Sequence, residues 1–160
     1  MGNGKLRLML ASKTRSHANR RLILKFCHPT LPPGTRQQED ARRELRKAEG
    51  KFAETAWNDI GKAMIDSAAE DVRVYRDKSF PAVGLVAVRL VVSSEHGQIT
   101  FEADGSKMSS SGDLYYRYGN YSEERGNVVK HEIYVMIWRA NMKGDWRLVL
   151  DLRKKLPPKR

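Results

Sequence analysis

Between residues 112 and 152 the chain alternates apolar and polar positions with a period of two, in three stretches at 114–122, 128–139 and 146–152. Glu124-Arg125-Gly126-Asn127 and Asn141-Met142-Lys143-Gly144-Asp145 separate them, and both segments are rich in turn residues. The pattern predicts a three-stranded antiparallel meander. Both faces of its middle strand are apolar, with Ile133, Val135 and Ile137 on one and Tyr134, Met136 and Trp138 on the other. A strand with two apolar faces is covered on both sides. Helices can cover one, so a second copy of the chain is expected over the other.

Upstream, the period changes to that of a helix. Ala41, Leu45, Ala48, Phe52 and Ala56 form one stripe within a helix predicted over 36–57, opened by Thr35 and Gln38 at capping-box spacing. Asn58 or Asp59 can cap a second helix whose face carries Ile60, Ala63, Met64, Ser67 and Ala68 and which ends near Glu70. A short strand is predicted at 72–76, and the β-branched run at 85–92 reads as a strand on propensity. Ile99, Phe101 and Ala103 alternate with polar residues before Asp104-Gly105, where a bulge in one long bent strand is expected rather than a turn.

Charge changes the picture less than its total suggests. The formal net charge is +11, but residues 1–38 hold eight basic side chains and no acidic one, so most of the excess belongs to an N-terminal arm ending in Pro29-Thr30-Leu31-Pro32-Pro33-Gly34. Residues 39–157 are nearly balanced and form the folded domain, which argues against nucleic-acid binding by that domain. The arm itself has three readings: a disordered extension, a phosphate-binding tail, or an organellar import segment, the last set against cytoplasmic residence. No apolar run is long enough to span a membrane.

A single cysteine, Cys27 in the arm, excludes an intrachain disulfide and any zinc site needing two thiolates from one chain. Phosphate-loop, dinucleotide, zinc-protease and hydrolase-elbow motifs are all missing from the sequence. Neither a metal nor another cofactor is expected.

Ser111-Gly112-Asp113-Leu114-Tyr115-Tyr116-Arg117-Tyr118-Gly119-Asn120-Tyr121, the strand at 134–139, and Gly144-Asp145-Trp146-Arg147-Leu148-Val149-Leu150-Asp151 resemble the SnoaL-like domains of unknown function in the nuclear transport factor 2 superfamily. Phe80-Pro81-Ala82-Val83-Gly84 is similar to the family's loop before its third helix. The resemblance implies an α+β cone, with about three N-terminal helices in the concave face of a strongly bent, mainly antiparallel sheet and dimers formed across the convex face. It also makes residues 85–93 a helix, against their propensity. Relatives include ketosteroid isomerase, dehydratases and polyketide cyclases as well as non-catalytic oligomerisation domains, so the fold alone does not name a reaction. At the isomerase's general-base position stands Arg76, followed by Asp77, and at its oxyanion tyrosine stands Phe52, which cannot donate a hydrogen bond.

Candidate site residues follow from the meander. Asp151, flanked by leucines and in phase with Val149 and Arg147, is a candidate general base, or else an ion-pair partner of an arginine. His131, in phase with Ile133, Val135 and Ile137, is a candidate to point into the cone as an acid–base partner of Asp151 or Tyr118, with a place at the rim as its alternative. Tyr75, Tyr116, Tyr118, Trp57 and Trp138 are candidate ligand-binding residues of a hydrophobic pocket, with core or interface packing as their alternative. The functional expectation is a pocket domain for a small hydrophobic ligand, not necessarily catalytic. Its alternatives are an acid–base enzyme acting on a carbonyl or cyclic compound, and an oligomerisation module.

Overall fold

The computed structural model describes residues 36–95 and 98–156. Residues 1–35 of the arm, with Cys27 and the cap at Thr35, lie outside the described residues, and its last three residues, 36–38, belong to the first helix.

Helix α1 (Arg36–Asn58) turns Leu45, Glu49, Phe52, Ala53 and Ala56 inward, the stripe expected from its spacing, except that it contains a carboxylate. Asp59 ends the linker to α2 (Ile60–Ser67) as its N-cap, accepting a hydrogen bond of 2.8 Å from the Lys62 N–H. β1 (Ala68–Tyr75) begins four residues earlier than its alternation predicts, because Ala68 already pairs in parallel with Leu148 of β6. After the two-residue β2 (Ala82–Val83), residues Gly84–Val92 form helix α3. Strand propensity therefore fails in this segment. The helical cost of β-branched residues is below about 1 kcal/mol each, whereas burying Val88 and Val92 completely offsets more than that.

The remaining strands are β3 (Gln98–Met108), β4 (Leu114–Arg125), β5 (Val128–Ala140) and β6 (Trp146–Lys155). They complete a six-stranded sheet of order β2-β1-β6-β5-β4-β3, antiparallel except for the β1–β6 pair. The architecture is α+β, with the helices against one face. The meander is antiparallel as predicted, and its register pairs Tyr116 with Ile137 and Tyr118 with Val135.

Two irregularities in the antiparallel pairing shape the sheet. One is the expected bulge, a register shift between Ala103 and Gly105 opposite Gly119 and Tyr118. Gly119 is required there, since a Cβ would sit 1.9 Å from the Glu102 carbonyl oxygen. The other lies in β6, where pairing slips between Trp138↔Leu148 and Ile137↔Leu150 and leaves Val149 as the extra residue. A slip of one residue reverses which side chains face inward. Trp146 and Leu148 are buried before it, Asp151 and Arg153 after it.

The core lies between helices and sheet and is built around Phe101. The Phe101 ring packs against Phe52 at 6.2 Å, Tyr121 at 5.1 Å and Tyr134 at 5.0 Å, while Trp138 meets Phe52 edge-on at 5.8 Å. Replacing Gly119 by Ala forces the β3 backbone away from β4 and should destabilise the fold by about 1–3 kcal/mol. Urea unfolding would show a lower midpoint at unchanged slope, and an unchanged midpoint would refute the close approach.

Candidate functional site

The slip in β6 turns Asp151 inward. It therefore shares a face with Trp146 and Leu148, not with Val149 and Arg147 as a straight strand would have it. Asp151 is fully buried, and its Oδ2 lies 2.8 Å from Arg76 Nη1 and 3.2 Å from Arg153 Nε. Neither approach has hydrogen-bond alignment, so the attraction is mainly that of opposite charges. The second carboxylate, Glu95 in the turn after α3, receives 2.6 Å from Arg76 Nε on one oxygen and 2.9 Å from Arg153 Nη1 on the other. Arg76, Glu95, Arg153 and Asp151 thus form a closed ring of alternating charge.

The four members come from three places in the chain: Arg76 directly after β1, Glu95 after α3, and Asp151 and Arg153 two residues apart on β6. Arg76 is further oriented by donating from Nη1 to its neighbour's carbonyl, Tyr75 O, at 3.0 Å. The Arg153 guanidinium also stands 4.4 Å over the Tyr121 ring. Burial by itself would lower the pKa of Arg153, but Asp151 and Glu95 beside it outweigh burial and raise it, so this side chain stays cationic. Burial raises the pKa of Tyr121 as well, and pushes Tyr134 up to about 12, which keeps both phenols neutral.

A second buried ion pair lies beneath α1. Glu49 Oε1 is 3.2 Å from Arg117 Nη1, with the Arg117 guanidinium 5.8 Å from the Phe101 ring centre and 5.7 Å from that of Tyr134. Burial raises the Glu49 pKa, and Arg117 counters this only in part.

A cavity of about 390 Å³ opens beside the ring. Arg76, Glu95, Arg153 and Tyr121 form part of its wall, together with Glu123, Arg125, Lys130 and Glu132 from β4 and β5, and Val74, Ser79, Phe80, Val91 and Ser94. The buried Glu123 carboxylate is held by Arg125 Nη2 at 2.5 Å and Lys130 Nζ at 3.4 Å. The Tyr121 hydroxyl is buried in this wall without a hydrogen-bond partner.

Of the candidate site residues Asp151 alone joins the ring, and Arg76, noted at the isomerase's general-base position, joins it as a cation. His131 is exposed, because Tyr134, Met136 and Trp138 take the inner face of β5 and His131 has the opposite phase. It is not in the cone. Tyr116 and Tyr118 stack on each other at 6.4 Å on the outer face, both part-exposed, and do not line the cavity. Trp138 is core and Trp57 is a part-exposed residue near the end of α1. Tyr75 is half-buried and stands apart from the cavity wall. The charged wall also differs from the hydrophobic pocket that the tyrosines suggested.

Glu49 on α1, Glu95 in a turn, and Arg117, Glu123 and Arg153 on strands were missed, since single charges at such positions read as a solvated face. For Arg117 one clue existed, since it is in phase with Tyr115 and Tyr121, whereas Arg153 reaches the inner face only through the slip in β6.

No protein-family model matches the chain, and no curated protein sequence matches it. Solved structures do. A ketosteroid isomerase-like protein from Erwinia carotovora atroseptica superposes with TM-score 0.52 at 17% identity, covering 72% of this chain and 96% of that one. A nuclear transport factor 2-like protein of unknown function from Pseudomonas putida gives TM-score 0.57 at 14% identity, covering 76% and 97%. SalBIII, an epoxide hydrolase/cyclase-like enzyme with a role in pyran ring formation in the polyether salinomycin, gives 0.52 at 10% identity, covering 74% and 92%. At these identities the likeness is one of fold.

Replacing Asp151 by Asn leaves two buried guanidiniums sharing one carboxylate and should cost about 3–5 kcal/mol of stability. Chemical denaturation measures it, and a loss below about 1 kcal/mol would show that the ring does not hold this end of the sheet together.

Proposed function

Starting from a chain with the nuclear transport factor 2-like fold, we propose that residues 39–157 form a binding domain, without catalytic activity, that takes a small molecule in the cavity beside the charged ring. The cavity itself carries this reading. Its volume of about 390 Å³ falls within the range of roughly 300–1,000 Å³ usual for small-ligand sites. Val74, Phe80, Val91 and the Tyr121 ring offer apolar contact for the body of a ligand, beside polar groups that can orient it.

The state of the carboxylates favours binding over acid–base chemistry. A general base needs a free lone pair within reach of the proton it takes. Glu95 faces a guanidinium on each oxygen, Glu123 faces Arg125 and Lys130, and Asp151 lies behind the ring, outside the cavity wall. An enzyme of the isomerase, dehydratase or cyclase type would have to break one of these pairings first.

The domain acts as a homodimer through the outer sheet face. Tyr116, Ile137 and Leu150 lie side by side across β4, β5 and β6, as do Tyr118, Val135 and Leu152. All six are at least partly exposed, which makes a continuous apolar surface of the kind that marks an interaction site.

Light scattering should give twice the chain mass of 18.3 kDa, and Tyr118→Asp should halve it; a wild-type monomer at micromolar concentration would end the dimer reading. A thermal-shift screen of small, partly apolar molecules on the full chain tests the binding reading. A ligand at 100 times its dissociation constant should stabilise by about 2.7 kcal/mol, and a screen of broad chemistry without one shift would favour a pure oligomerisation module.

A further inference from the structure

Among the carboxylates around the cavity, Glu132 is the exception. Asp151 and Glu95 belong to the ring, and Glu123 is held by Arg125 and Lys130. Glu132 is half-buried in the wall, and among the described residues no cation stands within ion-pair distance of it. Lys155 on β6 is its partner in backbone register only and is not part of the wall. Tyr121, its partner on β4, is a phenol that burial keeps neutral. Arg153 feels the Glu132 charge, but its ion pairs go to Asp151 and Glu95.

Charges therefore cancel over the ring and wall together, but not locally. The ring sums to zero. At the rim one carboxylate, Glu123, faces two cations, which leaves one positive charge unmatched on Arg125 and Lys130, and Glu132 supplies one unmatched negative charge. Lys130 and Glu132 are alternate residues of β5 on the face that carries Tyr134, Met136 and Trp138, so their backbones lie roughly 7 Å apart. The wall is thus dipolar: it favours neither an anion nor a cation, and it complements a molecule that carries both charges close together. The side chains of Arg125 and Lys130 are 42% and 43% exposed, while that of Glu123 between them is only 6% exposed. Arg125 is also held in place, since its Nη2 donates 3.1 Å to the Ser94 carbonyl and its Nε 2.5 Å to Glu123. A cation fixed in this way loses little entropy when it binds. Phe80 is 98% exposed although it lines the cavity, and Val91 lies on the same wall, so an apolar group that enters has surface to cover.

We propose that the cavity takes a small zwitterion with an apolar side group, an α-amino acid or close analogue, whose ammonium lies on Glu132, whose carboxylate lies between Arg125 and Lys130, and whose side group covers Phe80 and Val91. This deepens the binding reading above and rests on it. A half-buried carboxylate without a counter-ion gains most from a cation, and Glu132 uses its free lone pairs in binding one, not in taking a proton. A ligand with a single charge would satisfy one end of the wall and take water from the other, leaving that charge without a partner.

Two matched trios of probes test the proposal by calorimetry on the full chain at neutral pH: phenylalanine, hydrocinnamate and phenethylamine, and leucine, isocaproate and isoamylamine. Each zwitterion should bind about 10-fold or more tightly than either singly charged member of its trio, since 10-fold is about 1.4 kcal/mol and a hydrogen bond to a charged group contributes at least that much. Glu132→Gln should bring hydrocinnamate to within about 3-fold of phenylalanine, and Lys130→Met should do the same for phenethylamine. Opposite changes of this kind are not expected if the two residues only support the fold. Circular dichroism checks that each variant folds, with Lys130→Gln replacing Lys130→Met if needed. A singly charged probe that binds wild type as tightly as its zwitterion overturns the ligand class and leaves the binding reading intact. Silence from every probe, while the broad screen finds another ligand, does the same. A zwitterion preference unchanged in a folded variant overturns the assignment to that residue. If no probe binds and the broad screen also finds nothing, both readings fall.

Discussion

Two guanidiniums out of water are the constraint on which the rest of this structure depends. Arg76 and Arg153 stand where β1, β6 and the turn after α3 meet, and each would cost several kcal/mol if buried alone. Asp151 and Glu95 offset that cost only when all three segments are in place together. The ring therefore ties the helical layer to the sheet, and it does so with charges that lose their meaning if any one segment moves. This selects one geometry more than it adds stability, since a well-packed apolar set of the same volume can be equally stable.

The slip in β6 makes the ring attainable. Without the extra residue at Val149, Asp151 and Arg153 would point outward and Leu150 and Leu152 inward. The interior would then be apolar, as in an ordinary sheet-and-helix core. With the slip, β6 contributes Trp146 and Leu148 to the core at one end and a carboxylate and a guanidinium at the other. Phe101, 5.7 Å from the Arg153 guanidinium and 5.8 Å from that of Arg117, separates the two charged zones. The cavity lies on the ring's side, next to the cation pair at the rim.

The outer face follows from the same alternation. Once Tyr134, Met136 and Trp138 are committed to the helices, Ile133, Val135 and Ile137 must face away from them. Tyr116 and Tyr118 are then surface residues, suited to a partner sheet and not to the cavity. The cavity and the apolar outer surface thus lie on opposite faces of one sheet.

Much of the architecture was determined by the sequence alone. Period-two alternation located β3 to β6, glycine-rich turns set their ends, Asp104-Gly105 marked a bulge, and an apolar stripe located α1, because these signals arise between residues close in the chain. The helix at Gly84–Val92 was legible only through family resemblance, since a short β-branched run has no decisive local preference. The site was largely illegible. Alternation predicts that residues two apart share a face, and it cannot register an extra residue that only pairing with β5 creates, so Asp151 was found for the wrong face and His131 was assigned to the interior. Nor can a local pattern show that Arg76, Glu95 and Arg153 will neutralise one another, because their attraction exists only once segments 19 and 58 residues apart have been brought within hydrogen-bonding distance. Tertiary structure decided the site for that reason: it rests on charges that are unremarkable in the chain and become a unit only when water is excluded from around them.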